Sequence, residues 1–188
     1  EGYDISFFGA DYNYVVAKDG SIHRPIVDTD VTVNLNVAKK GKVITSKDLV
    51  VTIPGTNDKS KSVNEKPVVI PELREWFGTS GVTTVNAQSK VFMSAGTTPQ
   101  DKSAIDTFVD DYLNLFGVKL EVVTTGTPKA GDIVFTRVSD EGLGKEGYLI
   151  TVDGVIKVQA NDHVGTIWST KSLLQIFKLN NSTINNGI

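Results

Sequence analysis

The chain has 188 residues, 39% of them hydrophobic and 22% charged, the composition of a folded globular protein long enough for one substantial core or two small domains. Its net charge of −3, with no Lys and Arg cluster interleaved with aromatics, gives no long-range field for nucleic acid or anionic lipid, and neither nucleic-acid binding nor membrane insertion is expected. The absence of cysteine excludes a disulfide framework and thiolate chemistry, and with His23 and His163 as the only histidines no metal site or cofactor is expected.

Residues 1–54 have the pattern of short strands. Tyr14 to Ala17 is a strand candidate, followed by a turn at Lys18-Asp19-Gly20-Ser21. From Val31 to Val37 the alternation is strict: Val31, Val33, Leu35 and Val37 fall on one face and Thr32, Asn34 and Asn36 on the other, the mark of a half-buried strand. A turn at Lys39 to Lys42 leads to strands at Val43 to Thr45 and Asp48 to Ile53, which Pro54-Gly55 ends. Residues 55–66, GTNDKSKSVNEK, are polar and without apolar periodicity, and are expected to form a linker.

A second apolar region opens at Pro67 with VVIPELREWFG. Its Trp76 and Phe77 either anchor a core or face a sugar; burial is the commoner fate of large aromatics. Strands are expected at Val82 to Val85 and Lys90 to Ser94. Thr98-Pro99-Gln100-Asp101 is a helix start: Thr98 suits the cap, Pro99 the first helical position, and Asp101 the positive helix terminus. Ile105, Phe108, Val109, Tyr112, Leu113 and Phe116 recur at spacings of three and four, forming one apolar stripe that ends at Gly117.

Leu120 to Thr124 and Ile133 to Val138 are further strands, and Gly147 to Val152 and Val155 to Gln159 flank an Asp153-Gly154 pair of the two-residue hairpin type. Asn161 or Asp162 then caps a helix ending near Lys178, and residues 181–188 are an Asn-rich tail. No catalytic constellation arises from spacing. Gly142-Leu-Gly144-Lys145 lacks a complete phosphate-loop frame and leads into a strand instead of a helix. Asp110-Asp111 and Asp140-Glu141 are neighbours that read as solvated carboxylates. His163 with Asp162 and Ser169 is the one local group that could echo a nucleophilic triad, and an exposed helical histidine is the simpler reading.

Several segments resemble a known family: the entry Pro67-Val-Val-Ile-Pro-Glu-Leu-Arg-Glu-Trp76, the segment Leu143-Gly-Lys-Glu-Gly-Tyr-Leu-Ile150, the Asp153-Gly154 hairpin, and the helix Gly165-Thr-Ile-Trp-Ser-Thr-Lys-Ser-Leu-Leu-Gln175. Together, over Pro67 to about Leu179, they look like the accessory domain that precedes the catalytic barrel of family 20 glycoside hydrolases, the β-N-acetylhexosaminidases. This chain departs at a second helical glycine, where Trp168 or Ser169 stands. The resemblance implies an antiparallel sheet with helices on one face, docked on a (β/α)8 barrel that carries the catalytic Asp-Glu pair. Residues 1–54 are similar to the small immunoglobulin-like repeats of secreted bacterial carbohydrate-active enzymes, but too short for a complete sandwich. The expected class is therefore α+β: a truncated immunoglobulin-like β region (1–54), a linker (55–66), a two-layer α/β domain with a mostly antiparallel sheet and two main helices (67–180), and a tail (181–188). The resemblance further implies a chain without catalytic residues of its own, secreted or at a bacterial cell surface, with a barrel as partner; the rival reading is a carbohydrate- or protein-binding adhesion module of a cell-surface protein, in which Trp76 or Trp168 holds a glycan or a protein.

Overall fold

The computed structural model describes residues 2–188, the side chain of Glu141 excepted. The chain divides into two compact units, Glu1–Lys61 and Ser62–Ile188.

In the first unit, β1 (Tyr3–Ala10), β2 (Thr29–Lys39) and β3 (Lys42–Ile53) form an antiparallel sheet in that order. The alternation in β2 sets its face: Val31 and Val33 are buried, together with Ile53 of β3. Two expectations are corrected here. Residues Tyr14 to Ala17 are not a strand; Val15 and Val16 plug the sheet from a loop whose one bridge is Val16 to Ile22. The two strands expected between Val43 and Ile53 are one continuous strand, because the ladder with β2 supplies partners through Ser46 and Lys47 that local sequence does not reveal. Residues 55–66 are held by hydrogen bonds along their length. In the first unit Thr56 and Asn57 N–H donate to the carbonyls of Pro25 and Ile26, at 2.8 and 2.9 Å. In the second, Val63 N–H donates to Gly78 O at 2.8 Å.

The second unit is a seven-stranded sheet with two helices. Its elements are β4 (Gly78–Thr84), β5 (Lys90–Met93), α1 (Pro99–Phe116), β6 (Glu121–Val123), β7 (Ile133–Arg137), β8 (Tyr148–Val152), β9 (Ile156–Ala160), α2 (His163–Leu179) and β10 (Thr183–Gly187). The sheet order is β4-β10-β8-β9-β7-β5-β6. Among the described residues, the ladders of both sheets are antiparallel except those joining β5 to β6, β5 to β7 and β7 to β9. The expected α+β class, with two main helices, is the one the chain adopts.

The apolar stripe of α1 does what its spacing requires: Ile105, Phe108, Val109 and Tyr112 are buried against Phe135 of β7 and Phe177 of α2. Since Ile133 and Phe135 face this core while Val134 and Thr136 line a shallow depression of about 420 Å³ with Lys157 and Gln159, both helices cover one face and leave the other open. Tyr112 stays polar at its tip, donating to Ser182 Oγ at 2.7 Å, yet burial dominates and pushes its phenol above the ordinary range.

The expected tail is also corrected: Thr183–Gly187 is a strand lying between β4 and β8. Only Ile184 in it is a buried apolar residue, and its polar side chains are satisfied individually. Asn186 Oδ1 accepts from Thr83 Oγ1 at 2.7 Å, and Asn185 Nδ2 donates to Glu65 O at 3.0 Å. The Asp153-Gly154 turn is wider than two residues, because Val152 pairs with Ile156 and leaves Asp153, Gly154 and Val155 between them.

Two glycines of the family-like segments, Gly147 and Gly165, meet. A Cβ on Gly165 of α2 would lie 2.3 Å from Gly147 O, and one on Gly147 would lie 2.1 Å from Leu143 O. Helix and strand entry therefore touch backbone to backbone. Gly165→Ala should cost about 1–3 kcal/mol by overpacking, read as a fall in the urea midpoint; an unchanged midpoint would show that the contact can relax freely. At the departure site, Ser169 is fully buried and donates to Thr166 O at 2.7 Å, so a small polar residue keeps the helix close.

Candidate functional site

Both helices begin beside the C-terminal ends of parallel strands, α1 after β5 and α2 after β9, with Arg137 at the end of β7. Thr98 caps α1 in a reciprocal box with Asp101, and Asp162 caps α2 by accepting from Val164 N–H at 3.0 Å. Asp101 does more than complement a helix terminus. Its buried carboxylate accepts from Thr98 N–H (2.7 Å), Thr98 Oγ1 (2.8 Å), Arg137 Nη2 (2.7 Å) and Thr166 Oγ1 (2.8 Å). Arg137 also donates to Asn161 O at 2.7 Å. One carboxylate thus ties both helix starts to the sheet. Burial works to raise the Asp101 pKa, but the donors from Thr98, Arg137 and Thr166 together outweigh it and hold the carboxyl below its ordinary value. Nothing in the spacing of Asp101, Arg137 and Thr166 announces the cluster; the signal was the Thr-Pro-x-Asp helix start, which accounts for only part of it.

On the outer side, α1 and α2 enclose a groove of about 360 Å³ lined by Gln100, Ser103, Thr107, His163, Ile167 and Lys171, among others. Trp168 of α2 is 47% exposed, and Leu174, on the inner side of the same helix, is 8% exposed. Lys171 bridges the helices through Asp111 at 2.9 Å. Gln175 clasps the backbone of Ile70, donating to its carbonyl and accepting from its N–H, at 3.0 and 2.9 Å. Ile70 and Leu179 are 82% and 65% exposed, so this helix face presents separated apolar side chains around a fixed polar clasp.

Ser169 and Asp140, two of the candidate groups, are engaged otherwise. His163 Nδ1 lies 2.9 Å from Asp162, but Ser169 is buried with its hydroxyl committed to Thr166, so the three form no nucleophile and base. Asp140 accepts from Gly142 N–H at 3.0 Å, closing a local turn; the side chain of Glu141 lies outside the described residues. Gly142 to Lys145 leads into β8, as the strand reading requires. Among the described residues no group of three or more His, Asp or Glu is placed to hold a metal ion. Trp76 is half-buried: Nε1 donates to Asn64 O at 2.9 Å, and a Cβ on Gly187 would come within 2.5 Å of its ring. The two tryptophans therefore sit on different elements, one wedged at the end of β10 and one displayed on α2.

The second unit is thus a two-layer α+β domain, a seven-stranded sheet with two helices against one face. The family model described as "Glycosyl hydrolase family 20, domain 2" matches residues 66–188, more than half of the chain. This chain belongs to that family. None of the curated proteins matches it. Among solved structures it is similar to a GH20 exo-β-N-acetylglucosaminidase from Vibrio harveyi crystallised with N-acetylglucosamine, at 16% identity and a TM-score of 0.51, over 89% of this chain and 26% of that one. A chitobiase from Flavobacterium johnsoniae is also similar, at 17% identity and a TM-score of 0.44, over 61% of this chain and 18% of that one. The chain thus spans about a quarter of the length of the Vibrio enzyme. Among the described residues no helix is long and apolar enough to cross a membrane.

Proposed function

We propose that this chain is a non-catalytic accessory region of a secreted, bacterial β-N-acetylhexosaminidase-like glycoside hydrolase, supporting a catalytic barrel that removes terminal N-acetylhexosamine from glycans. The observation that carries the reading is the family match over residues 66–188, on a fold in which the Ser169 hydroxyl is buried and committed to Thr166 O. On this reading the 1–54 region is a reduced immunoglobulin-like module, residues 55–66 connect it, and the accessory domain proper runs from residue 67 through β10. The test is incubation of the purified chain with a chromogenic N-acetylglucosaminide: no product should be released, and turnover above the uncatalysed rate would refute the proposal.

The exposed face of α2 is the proposed seat of the barrel. Because Trp168 is 47% exposed, Trp168→Asp should destabilise the isolated chain by no more than about 1–1.5 kcal/mol, half the value of a fully buried large side chain. In an enzyme carrying both domains the same change should lower the melting temperature, since it would place a charge in the interface. Equal melting of the two full-length proteins would remove α2 from the interface.

The exposure of Trp168 also favours a second reading, a glycan- or protein-binding module of a cell-surface protein in which the displayed Trp168 stacks on the ligand. Calorimetric titration with chitooligosaccharides decides: saturable heat abolished by Trp168→Ala supports the module, and silence supports the scaffold.

A further inference from the structure

The first unit carries a feature that overall charge conceals. Register places Tyr3 opposite Lys39, Lys39 opposite Lys42, Ala38 opposite Val43, and Phe7 opposite Leu35, which itself faces Lys47. The hairpin tip, turning through Lys40 and Gly41, is thereby joined by the start of β1. Over Tyr3–Ser6 and Val37–Lys47 there are four lysines, Lys39, Lys40, Lys42 and Lys47, against one acid, Asp4: four minus one leaves +3 in a chain whose total is −3. The next acid along β3, Asp48, accepts from Asn34 Nδ2 at 2.7 Å. Interleaved with the lysines are Tyr3, Ile5, Val43 and Ile44, at 56, 69, 51 and 53% exposure. The Lys39 ammonium lies 5.0 Å from the Tyr3 ring centroid, so aromatic and cation form one patch. The sequence reading missed a basic cluster with aromatic interleaving because Tyr3 is 36 residues from Lys39 in the chain and meets it only through the sheet.

We propose that this tip docks the protein on a bilayer surface bearing anionic headgroups. Complementary charge supplies one signal: each lysine brought near an anionic leaflet strengthens binding about fivefold. The exposed apolar side chains supply the second: Val43 and Ile44, directly after Lys42, and Tyr3, level with Lys39 in the register, enter the interface beside the lysines, whose long stems let the ammonium groups reach the headgroups, and so leave water. That second signal favours a bilayer over a soluble polyanion, which would leave the same side chains wet. The dock is peripheral, involves no spanning segment, and is independent of the glycosidase reading.

The test is co-sedimentation of the whole 188-residue chain with vesicles of mixed phosphatidylglycerol and phosphatidylcholine, and with phosphatidylcholine alone. Binding is expected to the mixed vesicles, with a loss of about tenfold or more for the triple variant Lys39→Gln, Lys40→Gln, Lys42→Gln. Val43→Ser with Ile44→Ser should weaken binding while leaving its salt sensitivity. All five positions are exposed, and an unchanged far-ultraviolet dichroism spectrum verifies folding. In Tyr3→Trp, adding mixed vesicles should blue-shift the extra emission. The proposal is overturned by equal partition onto both vesicle types, by no binding to either, by a lysine variant that binds like the parent, or by self-association through the tip in place of lipid binding. Binding to soluble polyphosphate as strong as to vesicles, and unaffected by the Val43 and Ile44 changes, would overturn it in favour of a polyanion.

Discussion

Phe108→Ala should lower the unfolding free energy by about 3–5 kcal/mol, the range found when a buried aromatic is truncated and its surroundings cannot close the gap. The side chain is fully buried, with ring centroids of Tyr112 and Phe135 at 6.2 and 6.0 Å. It therefore holds α1 to the sheet through β7 and stiffens its own helix one turn on. Tyr112 in turn meets Phe177 edge-on at 5.9 Å, so a cavity at Phe108 loosens the aromatic cluster that joins both helices. Chemical denaturation checks the prediction: the midpoint should fall with little change in slope. An unchanged midpoint would mean that α1 does not contribute this residue to the core.

Asp101→Ala should be comparably damaging, by about 3–5 kcal/mol, for an electrostatic reason. Removal of the carboxylate takes the ion-pair partner from Arg137, whose side chain is only 18% exposed and whose Nε already has no hydrogen-bond partner. It also undoes the α1 capping box and leaves the Thr166 hydroxyl without its acceptor. The same geometry sets a pH dependence. Because the folded pKa of Asp101 lies below its unfolded value of about 3.9, the stabilisation is fully present above that value and is lost as pH falls through the folded pKa. Stability measured against pH should show an acid-side decline that is smaller in Asp101→Asn, which cannot change charge. An acid limb of identical size in the variant would assign the decline to other carboxylates. Arg137→Met, removing the other partner, offers a contrast: it leaves the carboxylate three donors instead of four, so the acid limb should begin at higher pH.

How far each element was legible depended on where its partners lie in the chain. Helix α1 was readable from end to end, because its cap, its stripe and its Gly117 terminus act within four residues of one another. Strand β2 was readable from its period-two alternation. Strand β1 was not recognised, since Tyr3, Ile5 and Phe8 are mostly exposed and no local alternation separates core from solvent. Strand β10 was misread as a tail for a related reason: a segment of Thr-Ile-Asn-Asn-Gly has almost no apolar pattern, and the backbone ladder with β4, about a hundred positions away, makes it a strand.

The candidate site divides in the same way. Local sequence determined the helix caps, the apolar face of α1, the glycine-bearing segments that mark family 20 domain 2, and the lack of any thiol chemistry, because each depends on neighbours in the chain or on composition alone. The tertiary structure decided that Asp101 gathers donors from α1, β7 and α2, that Gly147 and Gly165 touch, that Trp76 is wedged while Trp168 is displayed, and that Tyr3 joins the lysine-rich tip. These arrangements bring together groups separated by tens of residues. Burial and sheet register, which sequence spacing does not encode, set their charges, contacts and exposure.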